Sequence, residues 1–286
     1  MTSAKSIASV AVIIATYNNP RWLQKVLWSY EAQSRPADEI IIADDGSTKE
    51  TADLLATFKA LPLKHVWHED QGFRKTLILN KAIMASSADY LIFTDGDCVA
   101  RADMVETHLN AAENGYFISS GYQRLPMPVS EALTQDDIKS GRAFDYKWLR
   151  KNGLPAGKSF LKLQKSPFWA QVLNHLTPTK ASWNGCNSSC FRANALAVNG
   201  FNEKMAYGGE DREFGERLSN MGLKSKQLRY AAICLHLDHK RPYKNAEVIM
   251  KNRAFRAIVK KHHLIKTPFG LEKLQEGAEY YEQKNQ

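Results

Sequence analysis

Two hydrophobic patterns take turns along the first part of the chain. Unbroken apolar runs fall at Val10–Ala15 (VAVIIA), Glu39–Ala43 (EIIIA) and Tyr90–Thr94 (YLIFT). Runs of this kind suit strands buried on both faces, as in a parallel sheet. Leu63–His68 predicts another short strand. Between the runs the spacing is helical. Trp22, Leu23, Val26, Leu27 and Tyr30 share one face over Trp22–Gln33, and Thr51–Leu61 and Thr76–Ser86 predict two further helices. Strand and helix alternate, which predicts an α/β fold with a mostly parallel central sheet flanked by helices and joined by right-handed crossovers.

Beyond about residue 125 the pattern loosens. Residues 126–181 are rich in Pro, Lys and aromatics with weak periodicity. Trp183–Arg192 and Ala231–His236 predict strands, and Gly209–Met221 and Tyr243–Leu264 predict helices. Glu210, Asp211 and Glu213 fall in the first turn of the Gly209 helix, where the dipole favours carboxylates. The tail from Glu276 is polar and expected to fray. The chain divides into an α/β half (1–125), a basic aromatic insertion (126–182), a second half of the site (183–242) and a C-terminal helix with its tail (243–286).

Charge narrows the partners. The formal net charge is +9, which implies attraction to a nucleotide, a nucleic acid, a phosphorylated glycolipid or a membrane surface. Hydrophobic residues at 44% and charged residues at 24% are ordinary for a globular chain that needs no staples. Cys98, Cys186, Cys190 and Cys234 lack CxxC spacing, so reduced, buried thiols are expected rather than a structural zinc site. The opening MTSAKSIASVAVIIATYNNP lacks a small-residue cleavage site and reads as a strand, not a signal peptide. No apolar run approaches the ~20 residues a spanning helix needs, so any membrane contact is expected to be peripheral.

Polar clusters stand at the predicted strand ends: Thr16-Tyr17-Asn18, Asp44-Asp45-Gly46 and Asp95-Gly96-Asp97. In α/β sheets ligands bind beyond the carboxyl ends of strands. The Asp95-Gly96-Asp97 triplet suits a hard cation such as Mg²⁺ or Mn²⁺ that keeps positions open for substrate phosphates; the plainer reading is an Asp-Gly turn. Asp44 or Asp45 could accept the imide proton of uracil, or simply cap the next helix. In Tyr207–Leu218 (YGGEDREFGERL) two glycines precede adjacent acids, so a carboxylate kept ionised by the helix dipole could act as general base for a sugar hydroxyl. Inert helices also carry such acids. In Leu235–Arg241 (LHLDHKR) an imidazole suits Mn²⁺ with mixed ligands. His236 and His239 are three positions apart and would face opposite sides of an extended segment, so at most one is expected to ligate. Residues 139–180 mix Lys139, Arg142, Lys147, Arg150, Lys151, Lys158, Lys162, Lys165 and Lys180 with Phe144, Tyr146, Trp148, Phe160, Phe168 and Trp169. That mixture suits a phosphorylated glycolipid at an anionic membrane surface, or a solvated face with its aromatics turned inward. The mixture would also suit nucleic acid, but that partner is not expected, because the strand-end carboxylates would repel its phosphates unless a metal is present; a nucleotide-sugar-binding protein without turnover is the other alternative.

Taken in order, IIATYN, ADDGS, DQGFRKTLILNKAI, YLIFTDGDCV, WNGCNSSCFR and GFNEKMAYGGEDREFGERL resemble glycosyltransferase family 2. The match is to bacterial lipopolysaccharide and capsule enzymes, with a second half similar to the beta-1,4-galactosyltransferase and chondroitin polymerase group. The resemblance spans roughly residues 8–240. It implies a GT-A fold with an acceptor-binding C-terminal half, a UDP-sugar donor, a glycolipid or saccharide acceptor, Mn²⁺ or Mg²⁺, inversion at the anomeric carbon, and a cytoplasmic site at the inner face of a bacterial plasma membrane. Thr16, Tyr17 and Asn18, with Asp44 or Asp45, would line the base pocket. Gln71, Arg74 and Asn80 would lie beside the donor. Asp95 and Gly96 would meet the ribose or metal, and Asp97 and His236 the metal. Trp183, Gly185 and Asn187 would lie under the donor sugar. Asp211, beside Glu210, falls at the position of the family's catalytic base. Relatives often carry tryptophan before the glycine pair, where this chain has Tyr207, which bears on the choice of sugar.

Overall fold

In the computed structural model, which describes residues 7–240, 245–276 and 280, the first part of the chain folds as its pattern predicts. β1 (Val10–Thr16), β2 (Glu39–Asp44), β3 (Leu63–Trp67) and β4 (Tyr90–Asp95) alternate with α1 (Pro20–Glu31), α2 (Lys49–Leu55) and α3 (Lys75–Ala85). Every residue of β1 and β2 is buried, as apolar runs without alternation require. Helix α1 starts where Asn19 accepts a hydrogen bond from Trp22 N–H, with Pro20 in the first turn, a favoured opening because proline lacks the N–H that would go unpaired there.

After β4 the chain forms β5 (Cys98–Ala100), α4 (Met104–Ala111) and β6 (Tyr116–Arg124). The loosely patterned stretch that follows is a string of short helices: α5 (Met127–Ala132), α6 (Gln135–Lys139), α7 (Tyr146–Lys151), α8 (Ser159–Leu163) and α9 (Pro167–Leu176), with a 3₁₀ turn at Arg142–Phe144. The longest has 10 residues, and most are too brief to show helical periodicity. β7 (Asn187–Phe191), α10 (Arg192–Ala197), α11 (Glu210–Asn220), β8 (Lys224–His236) and α12 (Ala246–Lys261) complete the described elements. The expected helix start at Tyr243, and the tail at 277–279 and 281–286, lie outside the described residues.

The strands join one sheet of eight in the order β3-β2-β1-β4-β7-β6-β8-β5. β1 to β4 are parallel neighbours where they pair, and β7 returns antiparallel to both β4 and β6. Strands from both ends of the chain therefore share one sheet. β8 begins earlier than Ala231 because its polar first half pairs in parallel with β6. β7 begins later than Trp183 because Trp183–Cys186 bends across the sheet end before pairing starts. Helix α12 packs on α11, with Ile258 and Val259 buried. No helix among the described residues is long and apolar enough to cross a membrane.

Candidate active site

β1, β2 and β4 end level with one another: Thr16 pairs with Asp44 and Ala15 with Asp95. Beyond these ends opens a cleft of about 840 Å³. Its walls bring Thr16, Tyr17, Asn18, Asp45, Asp95, Gly96 and Asp97 together with Trp183, Gly185, Glu210, Asp211 and His236. Acids from two distant stretches thus face one space.

The topology explains one side of it. After Asp95 the chain crosses to the far edge of the sheet, where Cys98 of β5 pairs with His236 of β8. Leu237 N–H donates to the Asp97 carbonyl at 2.9 Å. The Asp97 side chain then meets both histidines: Oδ2 lies 2.8 Å from His239 Nε2 and 3.9 Å from His236 Nε2. Their rings stack, with centroids 5.8 Å apart and planes 7° off parallel. The expectation that the two imidazoles face opposite sides fails because β8 ends at His236, and the period of two applies only within a strand. Each Nδ1 sits at its hydrogen-bonding distance from a carbonyl, Leu237 O at 3.0 Å and Lys240 O at 2.8 Å. Both Nε2 atoms are left facing the carboxylate, the orientation that metal-ligating imidazoles take from such outer partners. Burial pulls the Asp97 carboxyl up, but the His239 hydrogen bond and the charges of both histidines hold it at about 2. An ionised carboxylate and the His236 imidazole suit a divalent ion, while His239 is bonded to the same carboxylate. Cys98 Sγ is nearby, its ligand atom within 4.8 Å of those of Asp97 and His236. All four thiols are buried and unpaired.

Lys75, the first residue of α3, occupies the centre and was missed by the sequence reading. Its ammonium pairs with Asp95. Burial opposes its charge, but Asp95, Glu210 and Asp211 hold it protonated, well above the usual lysine range. Burial in turn raises Asp95 to about 6, with Lys75 opposing and Asp97 adding. A Cβ on Gly185 would stand 3.7 Å from Lys75 Nζ and 3.6 Å from Asp211 Cβ, so backbone, cation and acid converge. The only hint in the sequence is a basic residue opening a helix directly after the DQGFR stretch.

The acidic pair owes its direction to Gly208 (φ 111°) and Gly209 (φ 104°), consecutive left-handed residues that only glycine tolerates cheaply. Asn252 of α12 holds this turn, donating to Ala206 O at 2.8 Å and Gly208 O at 3.3 Å. Glu210 accepts from Gly208 N–H at 2.8 Å, and Asp211 accepts from Gly185 N–H at 3.1 Å and Arg212 N–H at 2.7 Å. Burial and the neighbouring Asp211 raise Glu210 to about 7, against the pull of Lys75. Trp183 is buried among Phe93, Phe117 and Phe214. Tyr207 lines the cleft edge-on to Phe73, with centroids 6.1 Å apart.

Other predicted residues stand behind or beside the cleft. Asp44 is fully buried, accepting from Ser47 N–H at 2.8 Å and meeting His65 at 2.9 Å. Asp45 is the cleft-lining member of that pair, fixed by His68 at 2.7 Å and Arg74 N–H at 2.9 Å. Arg74 and Gln71 bond to each other at 2.9 Å. The Asn80 carboxamide is spent on Phe201 and Glu203. Asn187 is spent on His108 and on the carbonyls of Gly121 and Ala232. Asn80 and Asn187 hold the walls in place and are not among the residues that line the cleft.

Residues 11–161 match the family model described as glycosyl transferase family 2, more than half of the chain. The chain belongs to glycosyltransferase family 2. Residues 174–240 of this family 2 member match a second model, described as the N-terminal domain of galactosyltransferase. Validoxylamine A glucosyltransferase of Streptomyces hygroscopicus subsp. limoneus is 28% identical over 75% of the chain and 48% of its own length. The chain thus spans about half the length of that relative. An uncharacterized glycosyltransferase of Bacillus subtilis is 29% identical over 86% of the chain and 69% of its own length. Among solved structures, the mannosyltransferase PcManGT of Pyrobaculum calidifontis, in complex with GDP-Man and Mn²⁺, superposes with a TM-score of 0.56 at 18% identity, covering 96% of this chain and 69% of that one. S. aureus TarS 1–349 with UDP-GlcNAc gives 0.58 at 16%, covering 89% and 69%. These likenesses establish that the family 2 chain has the GT-A fold.

Proposed function

We propose that the chain is an inverting, metal-dependent glycosyltransferase moving a sugar from a UDP-sugar to a hydroxyl of a bacterial glycolipid or polysaccharide. The observation that carries this is the meeting of Asp97, two imidazoles and the Glu210–Asp211 pair around one cleft at the strand ends. The TarS complex with UDP-GlcNAc and the PcManGT complex with GDP-Man and Mn²⁺ support a nucleotide-sugar donor and a metal.

Thr16, Tyr17, Asn18 and Asp45 receive the base. Asp97 and His236, with Asp95 beside them, would hold Mn²⁺ or Mg²⁺, which would supply positive charge against the diphosphate, and His239 orients Asp97. Lys75 adds a fixed cation beside it and opposes the rise that burial imposes on Asp95 and Glu210. Trp183 and Gly185 shape the floor under the sugar. Asp211, oriented by Gly185 N–H, takes the proton of the acceptor hydroxyl as it attacks from the face opposite the leaving group, so an α-linked donor gives a β-linked product. Glu210 stays back against Gly208 and sets the direction of its neighbour. In this reading the division at residues 125, 182 and 242 separates a donor half, an insertion, an acceptor half and a supporting helix.

A peripheral place at the cytoplasmic face of the membrane belongs to the same reading. Phe160, Phe168, Trp169 and Leu176 are 51%, 65%, 57% and 70% exposed, and exposed Lys158, Lys165 and Lys180 share the segment. Phe144, Tyr146 and Trp148 instead pack inward. Flotation should find the protein on anionic vesicles and not on neutral ones; binding to neither would end the membrane reading. The decisive test of function is a donor screen with UDP-glucose, UDP-galactose, their N-acetyl forms and GDP-mannose, each with Mn²⁺. One UDP-sugar should be hydrolysed slowly without acceptor. Failure of every donor to bind or turn over would overturn the proposal.

A further inference from the structure

Tyr122 stands in the cleft wall with its ring centroid 5.8 Å from that of His236. Two cations flank it, and a third lies near one of them. Arg124 Cζ lies 5.7 Å and Lys162 Nζ 5.5 Å from the ring centroid. Lys162 Nζ also donates to the Tyr122 carbonyl at 2.7 Å. Arg229 is close enough for its charge to work against that of Lys162.

The backbone is built to make this possible. Along β6 and β8, Ser120 pairs with Leu228 but Gly121 pairs with Ile233. Residues 229–232 therefore bulge out of register, and bulges re-aim side chains near functional sites. The bulge folds back over Gly121, where a Cβ would meet Arg229 O at 2.0 Å. No acid occurs between Asp145 and Glu203. Among the described residues no carboxylate pairs with Arg124, Lys162 or Arg229. Like charges this close repel, and an anion relieves the repulsion. Two guanidinium groups and an ammonium match a phosphate better than a single carboxylate, because the forked donors grip its several oxygens.

We propose that Arg124, Lys162 and Arg229 bind a phosphate ester carried by the acceptor, beside the hydroxyl that receives the sugar. The assignment to the acceptor rests on the glycosyltransferase reading of the cleft. Lys162 lies on α8, which leads into α9 with its exposed Phe168, Trp169 and Leu176, so an extended acceptor has a surface to run along.

The test is acylation of lysines by acetic anhydride on the intact protein, read by mass spectrometry. Lys162, half-buried and lowered to about 8 by burial and by Arg229, is followed by its labelling rate. Lys25 is also lowered to about 8 by burial but is fastened to the carbonyls of Ser130 and Glu131, and serves as the internal control. Glycerol 3-phosphate at ten times its Kd should slow Lys162 labelling about tenfold, leaving Lys25 unchanged. The protection should persist with Mn²⁺ and UDP saturating, and should disappear in Arg229→Gln and in Arg124→Gln. Equal protection by chloride at matched ionic strength overturns the proposal. Exclusion of glycerol 3-phosphate by Mn²⁺ and UDP also overturns it, since the cations would then serve the donor. So does protection by phosphatidylglycerol vesicles but not by the free ester, which would make this a membrane contact. Slow donor hydrolysis needs no acceptor, so failure of the glycosyltransferase reading itself is seen separately.

Discussion

Asp211 and Asp97 do different work and should fail differently. Asp211→Asn removes a proton acceptor, and general-base assistance is typically worth about 10²–10⁴-fold, so turnover should fall by that order while donor affinity stays near normal. Asp97→Ala removes the carboxylate on which both histidines converge, and calorimetry should find that Mn²⁺ no longer strengthens UDP binding. Near-normal turnover in Asp211→Asn would exclude it as the base. Away from the cleft, Glu39 starts β2 and accepts from Lys64 at 2.9 Å and from Ser86 Oγ at 2.9 Å. Burial alone would raise its carboxyl, but these donors and Ser87 hold it at about 2, below its ordinary 4.5. A depressed carboxylate contributes stability above its unfolded value and loses it as pH falls. The melting-temperature gap between the wild type and Glu39→Gln should therefore be full above pH 4.5 and close as pH drops toward 2; a gap independent of pH would refute the linkage.

At the scale of elements, α11 is the member under most constraint. Gly215 sits mid-helix, where glycine costs about 1 kcal/mol relative to alanine. A Cβ there would lie 2.4 Å from Trp183 Cβ, so the helix uses glycine to approach the tryptophan. Gly215→Ala should lower both melting temperature and turnover by pushing Trp183 toward the cleft; unchanged kinetics would mean that the tryptophan does not floor the donor. On the opposite face, Glu213 and Arg217 form a fully buried pair at 2.9 Å, and Arg217 also donates to Val198 O and Gly200 O. Removing one partner of a buried pair costs roughly 3–5 kcal/mol, which chemical denaturation of Glu213→Ala should reproduce. What was legible in sequence follows the same physics. β1, β2 and β4 announced themselves because burial on both faces requires apolar residues at every position. The first half of β8 did not, because partly exposed KSKQLRY carries no apolar run. His239 was misjudged because its direction depends on where a strand stops.

For the molecule as a whole, metal and donor bind only the folded cleft and should stabilise it. A ligand at a hundred times its Kd adds about 2.7 kcal/mol, so Mn²⁺ with UDP should raise the melting temperature, a chelator should reverse the rise, and Asp97→Ala should show none. Absence of any shift in the wild type would argue against the metal. The α/β class and the meeting of the two acidic motifs were readable from strand ends. The path of β5 to the far edge was not, because a three-residue strand leaves no pattern, yet it brings Asp97 to the histidines. One support has a wider consequence. Asn252, which steadies the Gly208 turn, belongs to α12, and α12 lies past both matched ranges, 11–161 and 174–240. The direction of the acidic pair thus leans on a helix distant in sequence, so Asn252→Ala should loosen the Gly208 turn and slow turnover while leaving UDP affinity unchanged.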